Sequence, residues 1–252
     1  MTGPAASRGD CLAQLDVLVL AGGLGTRIRP VLGDVPKLLA PIGGRTYLDC
    51  LFDWLRRFGA RRVVLGLGYQ AQAVIDHLRQ HPDPSLAIDT VVEPRPLGTG
   101  GAVRFARAAL RTDPVMVMNG DSFVEAPLCD FVARHRASGA AGTLLCTEVA
   151  DAGRYGRVET DAPGRIQAFA EKDPAFHGTA SINAGVYLLS AALLDDIAAG
   201  NSTSLERDVF ERLPAGSLAA YSGRFAFIDI GTPESLAAAG AVIGGTARGA
   251  SG

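Results

Sequence analysis

Hydrophobic positions along the chain fall alternately into short runs and spaced stripes. Leu15-Asp16-Val17-Leu18-Val19-Leu20 is a nearly unbroken apolar run of the kind a buried strand needs. Tyr47 to Phe58 places Leu48, Leu51, Phe52 and Leu55 at helical spacing, and Gly59 ends it. Arg62 to Leu67 reads as a second strand, Ala71 to Gln80 as a helix stopped before Pro82, and Ala87 to Val92 as a third strand. Gly101 to Arg111 is an Ala-rich helix, and Val115 to Met118 a fourth strand. This alternation predicts an α/β fold with a mostly parallel central sheet and helices on both faces. The second half is less regular. Thr143 to Val149, Gly156 to Glu159, Arg165 to Ala170 and Gly185 to Leu189 read as strands with few helices between them. They predict a smaller mixed-sheet portion folded over the mouth of the first half. A helix near Ser204 to Leu213, a strand over Phe225 to Ile230 and a closing helix from Pro233 follow. One domain over residues 15–243, between flexible ends at 1–14 and 244–252, accounts for the pattern.

The first strand runs into Ala21-Gly22-Gly23-Leu24-Gly25-Thr26-Arg27-Ile28-Arg29-Pro30, with Pro36-Lys37 close behind. Three glycines in four positions leave backbone N–H groups bare, able to cradle phosphate oxygens. Arg27, Arg29 and Lys37 add fixed positive charge nearby, so the loop points to a nucleotide polyphosphate. The dinucleotide fingerprint is excluded because no third glycine follows and Pro30, Gly33 and Pro36 forbid a long helix there. The P-loop is excluded because Lys37 precedes Leu38 rather than Ser or Thr. A tight turn with solvated arginines would use the same glycines; Thr26-Arg27 and Pro36-Lys37 favour the phosphate cradle.

Composition narrows the class. The chain has 252 residues, 48% of them hydrophobic, enough for a large packed core. A net charge of -2, from 24 basic and 26 acidic residues, gives no polyanion-coating surface and argues against nucleic acid as a partner. No apolar run is long enough to span a bilayer, so no membrane partner is expected. Cys11, Cys50, Cys129 and Cys146 are scattered without a C-x-x-C, and are expected as buried reduced thiols of a cytoplasmic protein. Nothing in the sequence separates a monomer from a homodimer.

Several polar clusters fall at predicted strand ends, where ligands bind in open parallel sheets. Asp121, in Asn119-Gly120-Asp121, and Asp229, in Asp229-Ile230-Gly231-Thr232-Pro233, can each cap a helix or make a turn. Together, beside a cationic loop, they suit a hard divalent cation such as Mg2+ that bridges phosphate oxygens. Leu97-Gly98-Thr99-Gly100-Gly101 is a second glycine-rich turn opening a helix, fit either for close approach to a base or sugar or for a helix start capped by Thr99. Glu93 and Gln70 are candidates for the base edge. Glu171-Lys172 and Asn183 suit a phosphorylated, polyhydroxylated ligand, although Glu-Lys alone is an ordinary surface pair. His77 and His81 stand four apart but lack a third ligand, and no Ser–His–Asp or Cys–His grouping declares itself.

Ala21 to Arg27, Pro36-Lys37, Pro96 to Ala102, Asn119-Gly120-Asp121, Tyr155-Gly156, Glu171-Lys172, Asn183-Ala184-Gly185 and Asp229 to Pro233 occur together in one order. In that order the chain resembles the sugar-phosphate nucleotidylyltransferases, from Leu18 to about Leu236. Gly44 to Asp49, Ser204-Leu205-Glu206 and Phe227 to Gly231 are most similar to members that transfer GMP from GTP to D-glycero-D-manno-heptose 1-phosphate for bacterial surface polysaccharides. The resemblance implies a Rossmann-like three-layer fold, with a nucleotide part over about 15–125 and a sugar-phosphate part over about 126–230. It implies nucleotide contacts from Leu20, Ala21, Gly22, Gly23, Gly25, Thr26, Gly98 and Thr99. Arg27 would meet the polyphosphate, Lys37 the reacting α-phosphate, and Asp121 and Asp229 would hold Mg2+. Asn119, Gly156, Glu171, Lys172 and Asn183 would bind the sugar phosphate. Leu38 departs from the second proline many members carry, and leaves the role of Lys37 intact. Uridylyl or thymidylyl transfer to a hexose or muramic-acid-type 1-phosphate keeps the same chemistry. A catalytically silent nucleotide-sugar sensor would not need Arg27, Lys37, Asp121 and Asp229 together.

Overall fold

A computed structural model describes residues 9–153, 155–170 and 173–248. The chain begins with strand β1 (Asp16–Ala21), then a one-turn helix α1 (Arg29–Leu32), a small hairpin of β2 (Pro41–Ile42) and β3 (Arg45–Thr46), and helix α2 (Tyr47–Arg56). A capping box starts α2: the Thr46 hydroxyl accepts from the Asp49 N–H at 3.2 Å, and the Asp49 carboxylate accepts from the Thr46 N–H at 3.2 Å. Strand β4 (Arg62–Leu67), helix α3 (Ala71–Gln80), strand β5 (Ala87–Val92) and helix α4 (Gly98–Ala106) repeat the alternation. Strands β6 (Val115–Asn119) and β7 (Ser122–Glu125), helix α5 (Leu128–Ser138) and strand β8 (Gly142–Val149) lead into the second half. There β9 (Arg157–Thr160), β10 (Ile166–Ala170) and the ten-residue β11 (Ala180–Leu189) precede α6 (Ala191–Ala199) and the short α7 (Leu205–Asp208). Strands β12 (Leu218–Gly223) and β13 (Ala226–Asp229) and helix α8 (Pro233–Arg248) close the fold.

The main sheet has the order β10-β9-β11-β6-β1-β4-β5, with β8 also on β11 and β12 on β8. β6, β1, β4 and β5 are mutually parallel. β11 runs antiparallel to β6, β8 and β9, so the sheet is parallel in its first half and mixed in its second. Alternate residues of β1 point to opposite faces. Val17 and Val19 join a core with Leu51 of α2, Val74 of α3, Phe131 of α5 and Ala239 of α8. Leu18 joins a second core with Val103 of α4, Leu194 of α6 and Leu205 of α7. Helices therefore cover both faces, in the three layers expected. β13 and β7 form a separate antiparallel pair beside this sheet.

The structure departs from the sequence reading in definite places. β5 is an edge strand, half exposed along its length, because nothing pairs on its far side. Residues 9–14, expected as flexible, pack: Leu12 is wholly buried and its N–H donates to the Phe58 carbonyl at 3.0 Å. α8 carries the backbone to Arg248, past the expected start of a tail at 244. Cys11 and Cys129 are bonded to each other, not free thiols, with their Cα atoms 5.3 Å apart across 118 residues. The N-terminal turn lies against α5, a juxtaposition that spacing along the chain does not reveal. Cys50 and Cys146 are free, as expected, and burial pushes the Cys146 thiol up to about 12. No described helix is long and apolar enough to cross a membrane.

Removing the Thr46 cap leaves the first-turn donors of α2 without their partner. Thr46→Ala is expected to cost about 1 kcal/mol of stability. Urea denaturation checks this as a lowered midpoint with an unchanged slope.

Candidate functional site

The register of the parallel strands brings the site together. Ala21 pairs with Leu67 and Leu20 with Asn119, so the glycine loop, the Gly68-Tyr69 turn and Asn119-Gly120-Asp121 leave the sheet side by side. They border a cavity of about 340 Å³, closed by Glu93 just after β5 and by the Gly98-Thr99 turn at the start of α4. Gly98 has φ +73, and a Cβ there would lie 2.3 Å from the Thr203 carbonyl oxygen. The turn is thus pressed against the segment before α7, where the Gly100 N–H also donates to that carbonyl at 2.9 Å.

Glu93 is a buried carboxylate in the wall, 7% exposed. Burial raises its pKa above the ordinary glutamate value, while an N–H from Leu97 at 3.1 Å pulls the other way. Gly22 lies directly against it: a Cβ at Gly22 would stand 2.8 Å from both carboxylate oxygens. A Cβ here would have to push the Glu93 carboxylate aside.

At the other end of the cavity the Lys37 ammonium donates to Asp121 Oδ2 at 2.8 Å. Two backbone contacts fix Asp121: the Gly120 N–H donates to the Leu20 carbonyl at 2.8 Å, and the Ile230 N–H to the Asp121 carbonyl at 2.8 Å. Asp229 pairs with Ser122 across β13 and β7, which sets the two aspartates on neighbouring strand ends. The Gly231 N–H donates to Asp229 Oδ1 at 3.1 Å, and the exposed Arg27 guanidinium reaches to 3.5 Å of where a Gly231 Cβ would be.

A second cavity of about 540 Å³ begins where the first ends, sharing Asn119 and Asp121 with it. Gly156, Asn183 and Asp229 line it, with Glu206 and Arg207 of α7. The Asn183 carboxamide is oriented at both ends: Oδ1 accepts from the Gly185 N–H at 2.8 Å, and Nδ2 donates to the Tyr187 hydroxyl at 3.0 Å.

Most of the sequence-named residues meet here. Leu20, Ala21, Gly22, Gly23, Lys37, Glu93, Gly98, Thr99 and Asp121 line the first cavity, and Asn119 borders both. Gly25 packs instead on the Lys37 side chain, and Thr26 is exposed beyond the cavity wall. Gln70 stands behind the wall as the left-handed N-cap of α3, with φ 56, and its neighbour Tyr69 takes the place expected for it. Thr99 does not cap α4; its hydroxyl accepts from the Leu205 N–H at 2.9 Å. Glu171 and Lys172 lie outside the described residues. Tyr69 follows the end of β4, so the strand-end rule could have found it. Glu206 stood in the Ser204-Leu205-Glu206 resemblance without a site role, and Arg207 carried no signal, because α7 is brought to the cavity by tertiary contacts with the Thr99 turn and with Tyr187 of β11.

Two adjoining cavities, one walled by glycine loops and the other by polar side chains, meet at a carboxylate that holds a lysine. The profile of a family described as Nucleotidyl transferase matches residues 16–244. The chain belongs to that family. It is 36% identical over 226 residues to mannose-1-phosphate guanylyltransferase of Mycobacterium tuberculosis, covering 88% of this chain and 62% of that protein. The chain thus spans about three fifths of the length of that relative. It is 32% identical over 224 residues to D-glycero-alpha-D-manno-heptose 1-phosphate guanylyltransferase of Aneurinibacillus thermoaerophilus, covering 87% of this chain and 94% of the other. A crystal structure of HddC from Yersinia pseudotuberculosis complexed with GMP-PN superposes with a TM-score of 0.80 at 32% identity, over 90% of this chain and 98% of that one. The mixed sheet and its two helical layers are the Rossmann-like fold of nucleotidyl transferases.

As a nucleotidyl transferase, the protein is expected to lose nucleotide affinity if Gly22 gains a methyl group, because Glu93 is then driven from the wall. Gly22→Ala should weaken nucleoside triphosphate binding about tenfold or more, as measured by titration.

Proposed function

We propose that this protein transfers GMP from GTP to a manno-configured sugar 1-phosphate, with release of pyrophosphate. D-glycero-D-manno-heptose 1-phosphate is the favoured acceptor, and the product is a GDP-sugar of the kind used for surface polysaccharides. The observation that carries the reading is the pair of cavities joined at Asn119 and Asp121. A transferase must hold two anionic substrates edge to edge, and this is where they would meet. The 36% identity to a mannose-1-phosphate guanylyltransferase favours mannose 1-phosphate as the second candidate acceptor.

Glu93 supports guanine. A carboxylate accepts hydrogen bonds only, and guanine offers two adjacent donors, N1–H and the N2 amino group. Uracil and thymine offer one donor between two carbonyl oxygens, which a carboxylate would repel.

The chemistry follows from charge. Triphosphate and sugar phosphate repel one another as they approach. Lys37 and Arg27 offset that repulsion and stabilise charge developing at the α-phosphate. An oxygen of the sugar 1-phosphate attacks the α-phosphorus, the bond to the bridging oxygen breaks, and pyrophosphate leaves with that electron pair. The attacking phosphate is already ionised, so no protein group need remove a proton. Asp121 and Asp229 fit Mg2+: both are hard oxygen donors on neighbouring strand ends. When bound, Mg2+ would supply further neutralisation of the phosphate oxygens.

The reading is tested by measuring pyrophosphate release with GTP, UTP, dTTP and ATP against heptose, mannose and glucose 1-phosphates, in the presence of Mg2+. GTP with a manno-configured acceptor is expected to turn over fastest; no turnover with any pair would leave nucleotide-sugar sensing as the function.

Glu93→Gln replaces one acceptor by a donor facing the guanine. It should raise the KM for GTP by about 10- to 100-fold, on the order of the 1–3 kcal/mol of a mispaired buried polar group. The guanine-binding form of Glu93 is ionised and its pKa is raised by burial. GTP affinity in the wild type should therefore fall as pH drops towards a value above the ordinary glutamate range. That acid limb should vanish in the Gln variant.

A further inference from the structure

Glu206 joins the two cavities without belonging to the phosphate machinery. Its Oε1 accepts from the Tyr187 hydroxyl at 2.9 Å. Its Oε2 accepts from the Ser204 hydroxyl at 3.0 Å and the Thr99 hydroxyl at 3.3 Å. Tyr187 is wholly buried and packs edge-on against Phe210, with ring centroids 5.1 Å apart. Burial and the Glu206 carboxylate both raise the Tyr187 pKa well above that of a free phenol, so its proton stays in place and points to Glu206. The phenol oxygen must then accept, and its donor is Asn183 Nδ2 at 3.0 Å. The chain of contacts is directional from end to end. The Gly185 N–H fixes Asn183 Oδ1, the Asn183 amide meets Tyr187, Tyr187 meets Glu206, and Glu206 meets Thr99 in the turn that opens α4.

Counting donors and acceptors shows what remains for a ligand. The Asn183 carboxamide spends one N–H and one lone pair on the protein and keeps one of each. A free donor and a free acceptor on one planar group match a pair of neighbouring sugar hydroxyls. Their direction is set by Tyr187, whose own direction is set by Glu206.

We propose that Glu206, through Tyr187, is the positioning residue that aims Asn183 at the acceptor sugar, while through Thr99 it holds the nucleotide-side turn in register with that sugar. The inference rests on the transferase reading above. Glu206 acts through other groups, so its loss should appear as mispositioning of both substrates. The loss of Tyr187 hydroxyl alone should touch only the sugar.

Three variants test this, with kcat and both KM values measured by pyrophosphate release, GTP affinity measured by titration without acceptor, and Tm recorded. Tyr187→Phe cuts the link to Asn183 and leaves Glu206 on Thr99. Its KM for the acceptor should rise about tenfold, as expected for an amide left free to rotate, while GTP affinity stays within about twofold of wild type. Glu206→Ala should raise the acceptor KM and weaken GTP binding together. Glu206→Gln retains an acceptor for Tyr187 and a polar partner for the hydroxyls, and should restore both to within about threefold. Unchanged acceptor KM in Tyr187→Phe overturns the inference. So does a parallel loss of both affinities and of Tm in all three variants, which would make the network a packing element. If the wild type turns over no sugar 1-phosphate, the transferase reading falls and this inference falls with it. Turnover by the wild type with an acceptor KM indifferent to Tyr187→Phe overturns the positioning role alone.

Discussion

The contact between Lys37 and Asp121 is the constraint around which the site is arranged. An ammonium beside a glycine-rich loop would otherwise swing into solvent on its four-carbon stem. Asp121 holds it 2.8 Å away, at the boundary between two cavities. In the transfer reaction proposed above, an arriving phosphate would meet a cation already in place, with little reorganisation left for the moment of reaction. The carboxylate itself can hold this position only because its backbone is clamped from both sides, by β1 through Gly120 and by the turn after β13 through Ile230.

That clamp explains why the two halves of the chain cannot be treated as separate modules. The parallel strands β6, β1, β4 and β5 supply the wall of the first cavity, and β11 adds Asn183 to the second from the opposite direction. β13 is only four residues long, yet it pairs with β7 directly beyond Asp121 and delivers Asp229 to the same place. α7 adds Glu206 between the Thr99 turn and Tyr187. The second half is therefore less a lid than the completion of a wall that the first half leaves open.

The first half was legible because its signals are local. Arg62 to Leu67, Ala71 to Gln80 and Ala87 to Val92 have the boundaries their periodicity and their Gly and Pro punctuation predict. β7, α5, α6 and β12 were missed. β7 is only four residues long, and the Asn119-Gly120-Asp121 turn before it reads as a site rather than as the start of another strand; β12 earns its strand character by pairing with β8. The reading of β11 as beginning at Gly185 stopped at the irregularity between Asn183 and Val186, where the strand changes register on β8 and continues. The site was legible wherever a motif sits at a strand end, as Gly22, Asp121 and Asp229 do, and at Lys37, which the Pro36-Lys37 pair marked on the short turn before β2. It was not legible where tertiary packing makes the contact. Gln70 and Tyr69 are neighbours, and only the left-handed turn at Gln70 decides which faces the cavity. The Cys11–Cys129 bond spans 118 residues and leaves no trace in spacing.

Gly22 has a consequence for how this site can change. Its α-carbon rests on Glu93, and on the other side a Cβ at Gly68 would come within 2.6 Å of its carbonyl oxygen. The glycine loop, the Glu93 carboxylate and the turn after β4 thus form one close-packed stack. A bulkier side chain at 93 must either displace the glycine loop or project into the cavity. A change at position 93 therefore alters either the course of the glycine loop or the space the cavity encloses, so wall and cavity vary together.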